Sequence, residues 1–281
     1  MAGPVDLHTH TTASDGSFTP RELVGEAVRR GLRVLAITDH DSTDGLAPAL
    51  DEAARHPPLL IVPGIEINCD VEGAEIHILG YYLDYEATWF QEFCRAQREE
   101  RRARVHRIAT RLDELGLPID PDEVFALVRE GSAGRPHVAQ AMMRRGYVKS
   151  VREAFDKYLA VGRPAHVSRK KLAPDNAVRL IRKASGVPVL AHPGLADRDE
   201  LIPELIGAGL MGLECYYREH SAAQTAGYAQ LCRDHGLVAT GGSDFHGPAV
   251  RAATLGVPAV SMACWEALRA KAAVARASVP A

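Results

Sequence analysis

Histidine and carboxylate side chains able to hold divalent metal ions recur in five short segments. The first is Asp6-Leu7-His8-Thr9-His10, followed by Asp15. Residues two apart in a β-strand project on one face, so His8 and His10 can present two imidazoles to one ion. A nearby carboxylate makes the donor set one of nitrogen and oxygen without thiolate, which suits Mn, Fe or Zn. Complementary donors follow at Asp39-His40, at Glu66 with His77, at His192, and at Asp244 with His246. A lone histidine is more often structural. Six histidines and three acids, most of them placed where a strand ends, point instead to a multi-metal hydrolase. Two ions about 3.5–4 Å apart share a hydroxide, lower its pKa and stabilise both oxygens of an in-line displacement. A bridging carboxylate such as Glu66 would fix that spacing, and a third ion would add charge against phosphoryl oxygens.

The elements that must position these donors alternate between strand-like and helix-like. Val34 to Thr38 is a short apolar, β-branched run that reads as a buried strand. A helix precedes it, opened by Pro20 and closed at Gly31. Leu59 to Val62, Ile76 to Tyr82, Val187 to Ala191, Met211 to Cys215 and Leu237 to Thr240 are further strand candidates. Helical periodicity between them, as at Asp175 to Ser185, Arg198 to Ala208 and Ala222 to His235, predicts repeated β-then-α units and a parallel sheet. Seven or so strands in one body predict a closed or nearly closed α/β barrel with its chemistry at the C-terminal strand ends. His40, His192 and the pair Asp244/His246 each follow a strand. His77 alternates with Ile76 and Ile78 inside one and so faces the interior.

Residues 97–165 break this pattern. Gln97 to Leu115 predicts a long charged helix with an apolar stripe of Val105, Ile108, Leu112 and Leu115. Shorter helical stretches follow at Asp122 to Arg129, Pro136 to Arg145 and Val151 to Leu159. The expected organisation is a barrel over residues 1–96 and 166–281, with 97–165 as an inserted helical cap over its mouth. One last helix is expected after Pro258.

The 281 residues include 46% hydrophobic positions, ordinary for a soluble globular protein. No apolar run reaches the roughly 18–20 residues that span a bilayer. With the motif beginning at His8, no signal peptide is expected. Five cysteines without CxxC spacing argue against a disulfide framework or a thiolate zinc site. A cytoplasmic protein is expected, without membrane contact or an obligate protein partner. The net charge of −3 hides an asymmetry. Residues 95–171 hold 18 Lys+Arg against 10 Asp+Glu, a balance of +8, and the remainder is correspondingly acidic. An acidic body suited to metals thus carries a basic segment suited to phosphate.

Within that segment, Gly131-Ser132-Ala133-Gly134-Arg135-Pro136-His137 is a glycine-rich turn entering a helix, with Pro136 near its first position. A helix start offers free N–H groups to an anion, and Arg135 adds a fork that grips phosphate with two hydrogen bonds. Arg163 and the run Arg169-Lys170-Lys171 stand where the chain returns to the barrel. The expected substrate-binding residues are Arg135, His137, Arg163 and Lys170. For each, the plainer alternative is a solvated basic surface.

Taken together, the Asp-x-His-x-His start, Ile37-Thr38-Asp39-His40-Asp41-Ser42, Pro63-Gly64-Ile65-Glu66-Ile67, Ala191-His192-Pro193 and Gly242-Ser243-Asp244-Phe245-His246 resemble the polymerase and histidinol phosphatase (PHP) superfamily. The resemblance implies a distorted (β/α)7 TIM-like barrel with two or three metals, manganese favoured. By motif it implies His8, His10, Glu66 and Asp244 as ligands of the first metal. Glu66, His77 and His192 would bind the second, and Asp15, His40 and His246 the third. Some members have His where this chain has Asp15. Asp244, His246, Glu66 and His192 are the residues expected to carry catalysis. Asp39 and Asp41 are expected to orient histidines, with a helix N-cap as the alternative for Asp41. The position of Glu214 and of Tyr216-Tyr217, at the site or in the core, stays open. His106, His166, His220 and His235 read as structural or surface residues.

The Gly134-Arg135-Pro136-His137 segment and Gly162-Arg163-Pro164-Ala165 are further similar to the subgroup that removes the 3′-phosphate from 3′,5′-nucleotide bisphosphates. That subgroup includes 5′-to-3′ exonucleases acting on short RNA. The implied substrates are small nucleotides, with short RNA as an extension. Two alternatives stay open. One is histidinol-phosphate phosphatase, which would want an acid such as Glu219 or Glu72 to meet an ammonium group. The other is a nonenzymatic polymerase-associated module.

Overall fold

The computed structural model describes residues 3–128, 133–168, 172–248, 250 and 253–277. The expected phosphate-binding Lys170, its neighbours Arg169 and Lys171, and Gly131-Ser132 lie outside the described residues.

Seven strands form one sheet in sequence order: β1 Val5–Asp6, β2 Val34–Ile37, β3 Leu60–Val71, β4 Ala74–Tyr81, β5 Val187–Leu190, β6 Gly212–Tyr217 and β7 Val238–Gly242. Beyond the sheet, Leu7 N–H donates to the Gly241 carbonyl at 3.2 Å and Thr9 bridges Phe245 in parallel. These contacts bring the first and last strands together, so the sheet curls into a nearly closed barrel. β2 (Val-Leu-Ala-Ile) and β5 (Val-Pro-Val-Leu) are buried along their whole length. That is the burial expected where a strand is covered on both faces.

The expectation of an all-parallel sheet is corrected at one strand. β4 runs antiparallel to both β3 and β5, while the other adjacent pairs are parallel. The cause is local. Only Glu72 and Gly73 separate β3 from β4, with Gly73 at φ 77°. A parallel return would need a crossover of a dozen or more residues. β3 is also longer than expected, so Glu66 lies inside a strand.

Inside the barrel, Val5, Val34, Ala36, Val62, Leu79, Tyr81 and Val189 pack together. The last helix, Met262–Ala277, adds Trp265, Leu268, Ala272 and Ala275 to the same cluster and closes the floor. Among the described residues no helix is long and apolar enough to cross a membrane.

The long helix expected from Gln97 begins earlier, at Thr88, and runs to Glu114. Its first turns send Phe90 and Cys94 into a cluster with Ile65, Ile67 and Ile76 on the barrel. Its later turns send Val105, Ile108, Ala109 and Leu112 into a separate cluster with Val138, Met142 and Leu159. One continuous helix, roughly 40 Å long at 1.5 Å per residue, therefore carries the cap on the barrel. A boundary at residue 97 would fall inside it. Leu115 does not join the stripe: it is 44% exposed because it caps the helix end.

Candidate metal centre and active site

Local chain geometry sets the donors at the C-terminal rim. Thr9 turns away between the two histidines: its N–H donates to Thr38 Oγ1 at 3.1 Å and its hydroxyl to the Ala36 carbonyl. That leaves His8 and His10 on the opposite face. Gly242 is needed beside them, because a Cβ there would stand 2.5 Å from the His8 Cβ. Asp6 ties β1 to the loop bearing Asp244. Its carboxylate accepts from Ser243 N–H at 2.9 Å, Ser243 hydroxyl at 2.6 Å and Gly256 N–H at 2.7 Å. Burial nonetheless pushes the Asp6 carboxyl up from its usual range. His192 (φ 26°) and Asp244 (φ 51°) are both in left-handed conformations just past their strands. Such backbone persists where surrounding contacts over-determine it, and it clusters at functional sites.

Glu66 sits at the centre. Its Oε2 lies 3.3 Å from His8 Nε2, 3.2 Å from His10 Nε2 and 3.0 Å from His40 Nδ1. Its Oε1 lies 2.9 Å from His77 Nδ1 and 3.2 Å from His192 Nε2. Asp244 Oδ1 is 3.5 Å from His8 Nε2, 3.3 Å from His10 Nε2 and 3.4 Å from His246 Nδ1. Asp15 Oδ1 is 3.3 Å from His246 Nε2, and its Oδ2 is 3.9 Å from His40 Nε2. All nine expected ligands therefore meet.

Donor atoms within 4.8 Å of one another form three groups: His8/His10/Glu66/Asp244, His10/Asp15/His40/His246 and His40/Glu66/His77. The first contains the residues the resemblance implies for one ion. The second adds His10 to the expected Asp15, His40 and His246. The third pairs Glu66 and His77 with His40, while His192 reaches Glu66 from outside that group.

The chemistry of these atoms fits cations. His8 Nε2, both His10 nitrogens, Asp15 Oδ1 and Glu66 Oε2 are buried and make no hydrogen bond. Each such atom costs about 1–3 kcal/mol unless something satisfies it. Charge is also concentrated here. Burial lowers the His10 imidazole, yet the Asp244 and Glu66 carboxylates beside it outweigh burial and bring it up to about 9. Burial likewise opposes protonation of His8, but Glu214, Glu66 and Asp244 raise it well above the usual value. Burial dominates at His40 and takes it down to about 4. Against burial, the surrounding histidines hold the Asp15 and Glu66 carboxyls well below the usual range.

A supporting layer orients the donors. Glu214, buried on β6, faces His8 Nδ1 at 3.0 Å and accepts His192 N–H at 2.8 Å. Tyr217 donates to Asp244 Oδ2 at 3.0 Å. Both belong to the site, which resolves their open placement. Tyr216 is only partly buried and packs against the apolar clusters. Asp39 does not orient a histidine as expected. It accepts from Thr11 N–H and hydroxyl, both at 2.7 Å, and from Ser14 hydroxyl at 2.6 Å, shaping the loop between His10 and Asp15. Nor is Asp41 a helix cap; that position belongs to Gly45. Asp41 accepts from the Asn68 side chain at 3.1 Å, and Asn68 Nδ2 lies 3.0 Å from His40 Nδ1. It also accepts from Arg101 Nε at 2.8 Å.

A cavity of about 660 Å³ opens over the cluster, lined on one side by Asp15, His40, Glu66, His77, His192, Asp244 and His246. Arg101, Arg104, Arg135, Arg152, Phe155 and Ile108 line it from the cap, and Arg218 and Glu219 from the barrel. Arg135 is thus where expected, already paired with Glu75. His137 does not line the cavity; it is buried, and its Nδ1 accepts Gly134 N–H at 3.1 Å, capping its own helix. Arg163 lies in an exposed turn away from the lining. Glu219 lies 3.7 Å from Arg218 in an ion pair, and Glu72 is exposed. His220 is structural, with its Nε2 accepting Gly194 N–H at 3.2 Å.

Arg101 and Arg104 were missed by sequence reasoning. Yet a signal existed: extending the Val105, Ile108, Leu112 stripe backward by helical spacing lands on both. Arginines at stripe positions, here 3% and 4% exposed, mark a buried polar wall.

Similarity to known proteins agrees with this arrangement. The PHP domain matches residues 6–167. The 5′-3′ exoribonuclease Rnm of Escherichia coli is 36% identical over 256 residues, 86% of this chain and 85% of that one. A 3′,5′-nucleoside bisphosphate phosphatase of Chromobacterium violaceum is 32% identical over 277 residues, 95% and 97% of the two chains. A phosphoribosyl 1,2-cyclic phosphate 1,2-diphosphodiesterase of Eggerthella lenta is 34% identical, over 86% of this chain and 94% of that one. A crystal structure from Bifidobacterium adolescentis, provisionally described as a metal-dependent phosphoesterase, superposes with a TM-score of 0.88 at 30% identity, covering 95% of this chain and 96% of that one. The nine converging donors, the barrel beneath them and these likenesses lead to one conclusion: the chain belongs to the PHP domain family and is a metal-dependent phosphoesterase.

Proposed function

We propose that this protein hydrolyses the 3′-phosphate ester of 3′,5′-nucleotide bisphosphates, such as adenosine 3′,5′-bisphosphate, giving the 5′-nucleotide. One observation carries the reading: the metal-ligand cluster and an arginine-rich cap wall open into the same cavity. A substrate with one phosphate to cut and another to hold fits such a site. The relatives named as a bisphosphate phosphatase and an exoribonuclease support the same chemistry, and short 5′-phosphorylated oligoribonucleotides are the natural extension.

In this proposal His8, His10, Glu66 and Asp244 would hold one ion, Glu66 with His77 and His192 a second, and Asp15, His40 and His246 a third. Manganese is the proposed metal. Bound divalent ions supply Lewis acidity, acidifying water and offsetting charge on the phosphoryl oxygens. Glu66 divides its two oxygens between two sets of histidines and so fixes their relation. Glu214 keeps the proton of His8 on Nδ1 and turns Nε2 toward the cluster. Tyr217 occupies Asp244 Oδ2 and leaves Oδ1 facing the histidines. Arg135 holds the phosphate that is not cut.

Phosphate release from adenosine 3′,5′-bisphosphate and from histidinol phosphate, measured side by side on manganese-loaded protein, tests the reading. The bisphosphate should be strongly preferred, with 5′-AMP as product. Preference for histidinol phosphate would overturn it.

A further inference from the structure

His220 holds no ion in the proposed scheme and does not line the cavity, yet both of its ring nitrogens are committed to backbone. Gly194 N–H can only donate, so Nε2 accepts it, at 3.2 Å. The Cys215 carbonyl can only accept, so Nδ1 carries the hydrogen and donates it at 3.0 Å. The approach to Gly194 is close: a Cβ there would stand 2.8 Å from His220 Cδ2 and 2.7 Å from Gln224 Nε2. Both anchors adjoin the metal-ligand cluster. Cys215 follows Glu214 on β6, at a break in that strand's register with β7. Gly194 stands two residues after His192, in the short helix Pro193–Ala196.

His192 is a ligand that needs such a hold. Its backbone is left-handed, at φ 26° and ψ 58°. A residue other than glycine keeps that conformation only where surrounding contacts over-determine it. Glu214 supplies one contact, accepting His192 N–H at 2.8 Å. His220 supplies another beyond Pro193, which has no N–H of its own to be tied. Tyr217 packs against both rings, its centroid 5.4 Å from that of His192 and 5.3 Å from that of His220. So held, His192 Nε2 meets Glu66 Oε1 at 3.2 Å, from outside the three groups whose donors converge within 4.8 Å. A small relaxation of its backbone would carry it out of reach. We infer that His220 is a positioning residue for His192. By fixing Gly194 against β6 it maintains the strained backbone that aims the His192 imidazole at the second ion. The inference rests on the ion assignments proposed above and names what holds one of their ligands in place.

Manganese binding to metal-free protein, measured by competition with a chelator and without substrate, tests the hold in His220→Asn and His220→Gln. Asn places a donor near the Nδ1 position and keeps only the Cys215 bond. Gln places an acceptor near the Nε2 position and keeps the Gly194 bond. One ion should bind at least tenfold more weakly to His220→Asn than to wild type, with the other ions unchanged. The unchanged ions report an intact fold in the same sample. His220→Gln should bind the weakened ion at least tenfold more tightly than His220→Asn does, a separation that mere space-filling would not produce. Long-range proton–nitrogen NMR of the metal-free protein should find the His220 hydrogen on Nδ1. Wild-type affinity in His220→Asn, equal weakening of every ion, no advantage of Gln over Asn, or a hydrogen on Nε2 overturns the role of His220 alone. A wild-type protein that binds one ion or none overturns the ion assignments, and the hold with them.

Discussion

At the barrel end of the cavity, five buried donor and acceptor atoms of His8, His10, Asp15 and Glu66 make no hydrogen bond. At the cap end, Arg101, Arg104 and Arg135 each donate to a carboxylate of the protein, Asp41 or Glu75. Those atoms fit cations, which would satisfy them on binding. The cap end already has carboxylate partners within the protein, and an anion bound there competes with them, which favours discrimination between anions over raw affinity. One region is built to need a ligand, the other to choose one.

The largest effect should come from breaking the barrel end. Asp244→Ala removes a carboxylate that faces three histidines, and kcat should fall by about 10³-fold or more while the fold stays largely intact. Metal content by elemental analysis and kcat together check this; near-normal turnover with full occupancy would remove Asp244 from the ligands.

Glu214→Gln keeps the shape but weakens the anchor on His8. Metal affinity or activity should drop roughly 10- to 100-fold. Competition with a chelator measures the first, and an unchanged metal affinity and rate would reduce Glu214 to packing.

At the cap end the loss should be confined to binding. Arg135→Ala should raise KM for the bisphosphate by roughly 10- to 100-fold, the scale of one or two charge-assisted hydrogen bonds. A small generic phosphate ester should lose much less, and equal losses on both would count against Arg135 as the anchor.

The smallest effect concerns His137, whose imidazole caps the helix Arg135–Arg144. His137→Ala should cost about 1 kcal/mol in urea unfolding, as lost caps do, with nearly unchanged kinetics. A selective rise in KM for the bisphosphate would return His137 to the substrate.

Much of the barrel end was legible because its signals are local. His8 and His10 sit at strand spacing, and His40, His192, Asp244 and His246 follow short apolar runs that make strands. The cap end was read less well. Arg163 stood out in a basic turn but lies in solvent, while Arg101 and Arg104 were hidden in a helix whose charge suggested a wet surface. A charged residue in sequence carries no mark of burial; that depends on what packs over it. Asp39 and His137 failed for a related reason. Short polar side chains near loops and helix starts find backbone partners first, here Thr11 N–H and Gly134 N–H.

By itself, the sequence determined which chemical groups are present and which of them share a strand face, because side-chain alternation is a property of a few adjacent residues. The hairpin of β3 and β4 was not among those readings, because only the extension of β3 to Val71 leaves two residues between the strands, too few for a crossover. Only the tertiary structure decided that Glu66 would stand among five histidines drawn from four strands or strand ends. Only it decided that Glu75 would reach two arginines of the cap. Those meetings join residues up to 126 positions apart, as between Glu66 and His192. Such contacts are set by how the sheet curls and where the long helix lands, and no local pattern encodes either.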